Sequence, residues 1–185
     1  GWPTALAGCD GVLIVTANMA PTWADDVKAL CDAAKEAGVK HVVKLSGLAA
    51  IKPGEADPYD FRMGVEHGKS DAMVEQSGLK WTILNCNFFM SNAMAYQGGT
   101  IKGEQSAFYG VSEGKPVCYV APSDIGAVAA QILIAPDKYY GKAFALSGAP
   151  MTDAEMAHAI SNDIGKTVSY VDLSADAFRS ANLGA

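Results

Sequence analysis

The strongest constraint on this chain is an alternation of short apolar runs with single helices. Asp10-Gly11-Val12-Leu13-Ile14-Val15-Thr16 is a continuous apolar run after a turn. His41-Val42-Val43-Lys44-Leu45-Ser46 is a second run and Lys80-Trp81-Thr82-Ile83-Leu84 a third. Such runs fit strands buried on both faces of a parallel sheet. Between the first two, Pro21-Thr22-Trp23-Ala24-Asp25-Asp26 carries the proline, hydroxyl cap and early carboxylates of a helix start. Val27, Leu30, Cys31 and Ala34 recur at helical spacing, and Lys35 with Gly38 closes the helix. Between the second and third, a loop over residues 51–59 leads into a helix over 61–76, ended by Ser77-Gly78. One helix per interval makes right-handed βαβ units, so the sheet is parallel.

The second half is more mixed. Residues 88–96 read as a short helix and 97–115 as a glycine-rich excursion. Residues 116–120 are a predicted strand, Ser123-Asp124 caps a helix running to Ile134, and 142–146 is another strand. Thr152-x-x-Glu155 is a capping box for a helix ending near Gly165. A strand over 168–171 and a short helix over 175–180 follow. There is no internal repeat, low-complexity tract or linker, so one domain over residues 1–185 is expected.

Composition removes several function classes. Of the 185 residues half are apolar and 18% charged, which is globular, and the net charge is −6. Acidity on that scale gives no electrostatic footprint for direct nucleic-acid or anionic-membrane binding. No apolar run approaches the roughly 20 residues of a membrane span; the longest, 125–135, is interrupted by Gln131. No basic segment precedes an apolar one at the N-terminus, so no signal peptide is expected. Cys9, Cys31, Cys86 and Cys118 form no CxxC pair or zinc spacing. They fit buried thiols in a reducing compartment, and the expectation is a cytoplasmic chain without a metal. The chain opens on Gly1 without an initiating Met and is expected to be processed, cut or a fragment.

Two glycine motifs carry little. Gly64-Val65-Glu66-His67-Gly68-Lys69-Ser70 has three residues between its glycines where a phosphate loop needs four, and it lies inside a predicted helix. Two helical glycines at i, i+4 allow close packing instead. No two glycines are spaced i, i+2, so the dinucleotide fingerprint G-x-G-x-x-G is absent. Gly8 and Gly11 precede a strand rather than follow one.

The run Asp32-Ala33-Ala34-Lys35-Glu36-Ala37-Gly38-Val39-Lys40-His41-Val42-Val43-Lys44-Leu45-Ser46 resembles the NmrA-like family of atypical short-chain dehydrogenase/reductases. Further stretches agree in order: His67-x3-Asp71-x5-Ser77-Gly78-Leu79-x-Trp81-Thr82-Ile83-Leu84, Phe88-Phe89-Met90-x-Asn92, Asp124-Ile125-Gly126-Ala127-Val128-Ala129-Ala130 and Gly141-Lys142-Ala143-Phe144-x-Leu146-Ser147-Gly148. The resemblance implies an α/β fold: a Rossmann-type, doubly wound parallel sheet with a small C-terminal substrate-side portion. It also implies that an N-terminal part with the first strand and its glycine-rich loop is missing here. The implied cofactor is NADP or NAD, bound weakly or not at all by this chain alone. The implied activity is NAD(P)H-dependent reduction of a quinone-like or other small electrophile. The alternatives are a non-enzymatic dinucleotide-sensing regulator and an inactive truncated fragment. Small-molecule substrate apart, the expected partner is a second copy, paired through the open apolar edge of the first strand.

The Tyr-x-x-x-Lys pair of short-chain reductases falls on Met63 and His67, and the usual Arg-Pro after the third strand reads Asn85-Cys86. Methionine cannot donate a proton, which argues against ordinary carbonyl reduction. Ser46 sits where the reductase serine would be. Ser46 and His67 are therefore the candidate catalytic residues. Open α/β sheets place ligands at the carboxyl ends of their strands. That edge collects the cofactor-binding candidates Thr16, Ala17, Asn18, Ser46, Gly47, His67, Asn85, Cys86 and Asn87. Phe88 and Met90 are the candidate pocket walls. Plainer roles stay open: His67 as a solvated helix residue, Ser46 as a turn residue, and Phe88, Phe89, Met90, Met94 and Tyr96 as core.

Overall fold

The computed structural model describes residues 1–16, 23–58 and 60–181. In chain order the elements are α1 (Trp2–Leu6), β1 (Gly11–Ile14), α2 (Trp23–Glu36), β2 (His41–Gly47), α3 (Arg62–Glu75) and β3 (Lys80–Cys86). Then follow β4 (Phe88–Phe89), α4 (Ser91–Lys102), β5 (Ala107–Gly110), β6 (Val117–Val120), α5 (Pro122–Ile134) and β7 (Lys142–Leu146). The chain ends with β8 (Pro150–Met151), α6 (Asp153–Ile164), β9 (Ser169–Asp172) and α7 (Ala175–Ser180). They group into two compact units, residues 1–87 with 123–146, and residues 88–122 with 147–185.

The first unit carries the expected parallel sheet, in the order β1-β2-β3-β7. Val42, on β2, joins Ile14, Val27, Cys31, Ala34 and Val74 in a core between the sheet and helices α2 and α3. Strand residues alternate faces, so Lys44 and Ser46 share Val42's face of the sheet. Val42, Val43 and Lys44 are all fully buried, as expected of a strand covered on both sides. The edge strand β1 pairs with β2 among the described residues. Gly38, with φ +80°, ends α2 in a conformation that glycine adopts without steric cost.

The two glycines of α3 have the packing role expected of them. A Cβ on Gly64 would stand 2.5 Å from the Ala49 carbonyl oxygen, and one on Gly68 would overlap the Ile51 carbonyl. The loop after β2 thus crosses directly over α3, tied by the Ile51 N–H donating to the Gly64 carbonyl at 2.8 Å.

The second unit differs more from expectation. Residues 88–96 are not one short helix: Phe88–Phe89 pair with β6, and α4 runs on through Gly98 and Gly99 to Lys102. The supposed excursion also contains β5, paired in parallel with β9. Buried Ala93, Gln97 and Ile101 at i, i+4, i+8 hold α4 in place despite its glycines. That spacing leaves Met94 and Tyr96 exposed, and Phe88 and Met90 are exposed too. The core is instead Ala93, Ile101, Phe108, Met156, Ala157 and Val168. The helix α5 starts at Pro122, so Ser123 and Asp124 lie inside its first turn rather than capping it. The capping box of α6 is formed as expected: the Glu155 N–H donates to Thr152 Oγ1 at 3.2 Å, and Glu155 Oε2 accepts from the Thr152 N–H at 2.8 Å. Gly165 closes the helix at φ +67°.

Candidate functional site

The carboxyl ends of β1, β2 and β3 lie side by side, and α3 packs behind them. His67 and Asp71 are one helical turn apart on α3, so both reach the same strand, β2. Asp71 is the hub. Its Oδ1 accepts from Lys44 Nζ at 2.7 Å and its Oδ2 accepts from Ser46 Oγ at 2.8 Å. The ion pair is sealed, with the Lys44 side chain 0% and the Asp71 side chain 4% exposed. Ser46 Oγ lies 3.3 Å from His67 Nδ1, which brings the two candidate catalytic residues together.

His67 is half-buried rather than a solvated helix residue. Its ring meets Trp23 edge-on, with centroids 4.4 Å apart and planes at 77°. Burial, aided by the Lys44 charge, pushes its pKa down to about 4, so the imidazole is neutral at neutral pH. Burial also pulls Lys44 below the ordinary lysine value, against the opposing pull of Asp71. Gly47 explains how the ring can sit so close to β2. A Cβ there would come 2.9 Å from His67 Cδ2 and 3.1 Å from Nε2.

Asn85 pairs in register with Ser46, which puts both on one face of the sheet. Its Oδ1 is buried and has no hydrogen-bond partner among the described residues. A buried acceptor left without a donor costs about 1–3 kcal/mol, so it invites an N–H or O–H from a ligand. Thr16 follows β1 and lines a cavity with Trp23, Asp26 and Leu30. Ala17 and Asn18 lie outside the described residues, as do Pro21 and Thr22 of the expected helix start. The Cys86 thiol is buried and pushed up to about 11 by desolvation, so it is no reactive group. The backbone there is in use: the Cys86 carbonyl accepts from the Leu48 N–H, and the Asn87 N–H donates to the Leu146 carbonyl, each at 2.9 Å. Phe88 and Met90 belong to the second unit.

The sequence gives Lys44, Asp71 and Trp23 no role at the site. A lysine inside a run predicted to be buried on both faces is itself the signal, because such a charge needs a buried counter-ion. The nicotinamide end of a dinucleotide fits this edge, with the orphaned Asn85 acceptor and a neutral imidazole as hydrogen-bonding groups. Its pyrophosphate finds no glycine-rich turn in this sequence. Among the described residues no His/Cys/Asp/Glu cluster could hold a metal ion, and no helix is long and apolar enough to cross a membrane.

The profile of the NmrA-like family matches residues 3–183. An NAD(P)H azoreductase of Xenophilus azovorans is 33% identical over 98% of this chain and 61% of its own length. A (4-alkanoyl-5-oxo-2,5-dihydrofuran-3-yl)methyl phosphate reductase of Streptomyces griseus is 35% identical over 96% of this chain and 60% of its own. The chain therefore spans about three fifths of the curated relatives it matches. A solved structure of an NADPH-dependent quinone oxidoreductase from Escherichia coli, complexed with NADPH, superposes with a TM-score of 0.77 at 23% identity. That match covers 97% of this chain and 61% of the other. It supports a Rossmann-type α/β fold.

Proposed function

We propose that this chain, which belongs to the NmrA-like family, is the part of an NAD(P)H-dependent reductase that holds the nicotinamide side of the cofactor and a small electrophile such as a quinone or azo compound. The observation that carries this reading is the Ser46–His67 pair beside the orphaned Asn85 Oδ1 at the carboxyl edge of the sheet. The names of the azoreductase and quinone oxidoreductase relatives support the reaction class.

When bound, NAD(P)H supplies hydride. The chain's own residues position. Asn85 accepts an N–H, His67 presents a neutral imidazole, and Ser46 fixes the ring. The phenol and lysine of ordinary short-chain reductases are replaced by Met63 and His67, and the Met63 side chain is exposed. No side chain at those positions delivers a proton to an alkoxide. That suits acceptors whose reduced form is a delocalised anion, protonated from water.

The test is NADPH oxidation by the full-length gene product with a quinone and with an azo dye. His67→Ala is expected to lower kcat/KM about 10-fold, on the order of 1.4 kcal/mol. Dinucleotide binding without turnover of either acceptor would replace this reading with that of a sensor.

A further inference from the structure

We infer that the buried Lys44–Asp71 pair sets the tautomer of His67, holding its proton on Nδ1 and leaving Nε2 as a hydrogen-bond acceptor. The argument is a count of protons along one chain of contacts. A lysine ammonium has donors only, so Asp71 Oδ1 is committed to Lys44 at 2.7 Å. Asp71 Oδ2 is 2.8 Å from Ser46 Oγ, a short, charge-assisted distance. The serine hydroxyl has a single proton, and the carboxylate takes it. The 3.3 Å contact between Ser46 Oγ and His67 Nδ1 then needs its proton from the histidine. The reverse polarity would have Ser46 donate to Nδ1 and would strip a buried carboxylate oxygen of its donor, at a cost a buried charge tolerates poorly.

The consequence concerns what His67 can recognise. Nε2 carries a lone pair and sits over Gly47, where no side chain intervenes. It therefore takes a hydroxyl or N–H donor, such as a sugar hydroxyl or an amide, and cannot polarise a substrate carbonyl. Asp71 and Lys44 are positioning residues, acting through Ser46. The identity of the group met by Nε2 rests on the reductase reading; the tautomer does not.

Nitrogen chemical shifts of the imidazoles, read by long-range proton–nitrogen correlation on labelled protein without cofactor, test this directly. Single-histidine variants assign the three histidines. Wild-type His67 is expected as the Nδ1–H form. In Asp71→Asn, Lys44 must pin the oxygen of the introduced amide, so its NH2 faces Ser46. The hydroxyl then accepts from that NH2 and donates to His67 Nδ1, and the ring is expected to flip to Nε2–H. A wild-type Nε2–H ring, or an Asp71→Asn protein that keeps Nδ1–H, overturns the inference. If Asp71→Asn does not fold, Ser46→Ala serves instead: it removes the acceptor for Nδ1–H and is expected to abolish the Nδ1–H preference, whose persistence would be equally fatal. Because these shifts need no turnover, an Nδ1–H ring in a protein that oxidises no NADPH upholds the inference while overturning the reductase reading.

Discussion

Replacing Asp71 with alanine should be among the most damaging single changes in the first unit. At 2.7 Å and an effective dielectric of about 20, the Lys44–Asp71 attraction is roughly 6 kcal/mol. Taking both ions out of water costs several kcal/mol each, so the intact pair nets close to zero. Truncation is different, because it leaves the Lys44 ammonium fully buried without its counter-ion and Ser46 Oγ without its carboxylate acceptor. Removing one partner of such a pair costs about 3–5 kcal/mol. That is a large share of the roughly 5–15 kcal/mol by which a typical domain is stable. Urea unfolding followed by fluorescence of Trp23 and Trp81, both in or against this core, reads the effect as a drop in midpoint at unchanged slope. A loss under about 1 kcal/mol would refute the reasoning, since it would mean that water or another anion reaches Lys44.

Four further outcomes follow from single features. His67 has its pKa lowered from 6.5 to about 4, chiefly by burial. Between those values the unfolded chain binds more protons than the folded one, so this contribution is complete above about pH 6.5 and is lost as pH falls toward 4. His67→Gln should flatten the acid limb of a pH–stability curve, and parallel curves would show that His67 is not buried as described. Gly68→Ala should cost about 1–3 kcal/mol or more, because the new methyl overlaps the Ile51 carbonyl. Gly126→Ala, on α5 with open space around it, should instead stabilise by up to about 1 kcal/mol; equal effects in thermal melts would contradict both contact assignments. Finally, this chain alone should bind NAD(P)H weakly or not at all, since it lacks the glycine-rich turn that donates backbone N–H groups to a pyrophosphate. A low-micromolar dissociation constant by calorimetry would refute that.

The parallel sheet was legible because its central strands, β2 and β3, are largely buried and read as mostly apolar runs, each followed by a helical pattern. Short length, β-branched Val42, Val43 and Ile83, and a glycine a few residues before each run at Gly38 and Gly78 favour strands over buried helix. Residues 88–115 depart in part from the expected helix and excursion, for a physical reason. Gly98 and Gly99 signal a break, yet Ala93, Gln97 and Ile101 bury one face of α4 and outweigh that signal. The strand β5 takes its partner from residues 169–172, far along the chain, and no local pattern announces such a pairing. At the site, the family resemblance pointed to Ser46 and His67, but what joins them was not visible in it. Asp71 is an ordinary helix residue in sequence. Only the register of α3 against β2 turns it into the shared acceptor of Lys44 and Ser46.

A buried ion pair that adds little net stability still needs a reason to exist in a core strand, and hydrogen-bond direction supplies one. Lys44→Met with Asp71→Leu removes both charges and fills similar volume. It should recover most of what Asp71→Ala loses, because apolar replacements of buried pairs are often neutral or stabilising. The same double variant leaves the Ser46 proton without its carboxylate, free to turn toward His67 Nδ1. Stability and tautomer should therefore separate: unfolding midpoint near wild type, imidazole no longer held as Nδ1–H. If the double variant keeps both, the pair is an incidental occupant of the core. If it recovers stability and loses the tautomer, the charges in β2 and α3 serve the ring at the sheet's edge rather than the fold.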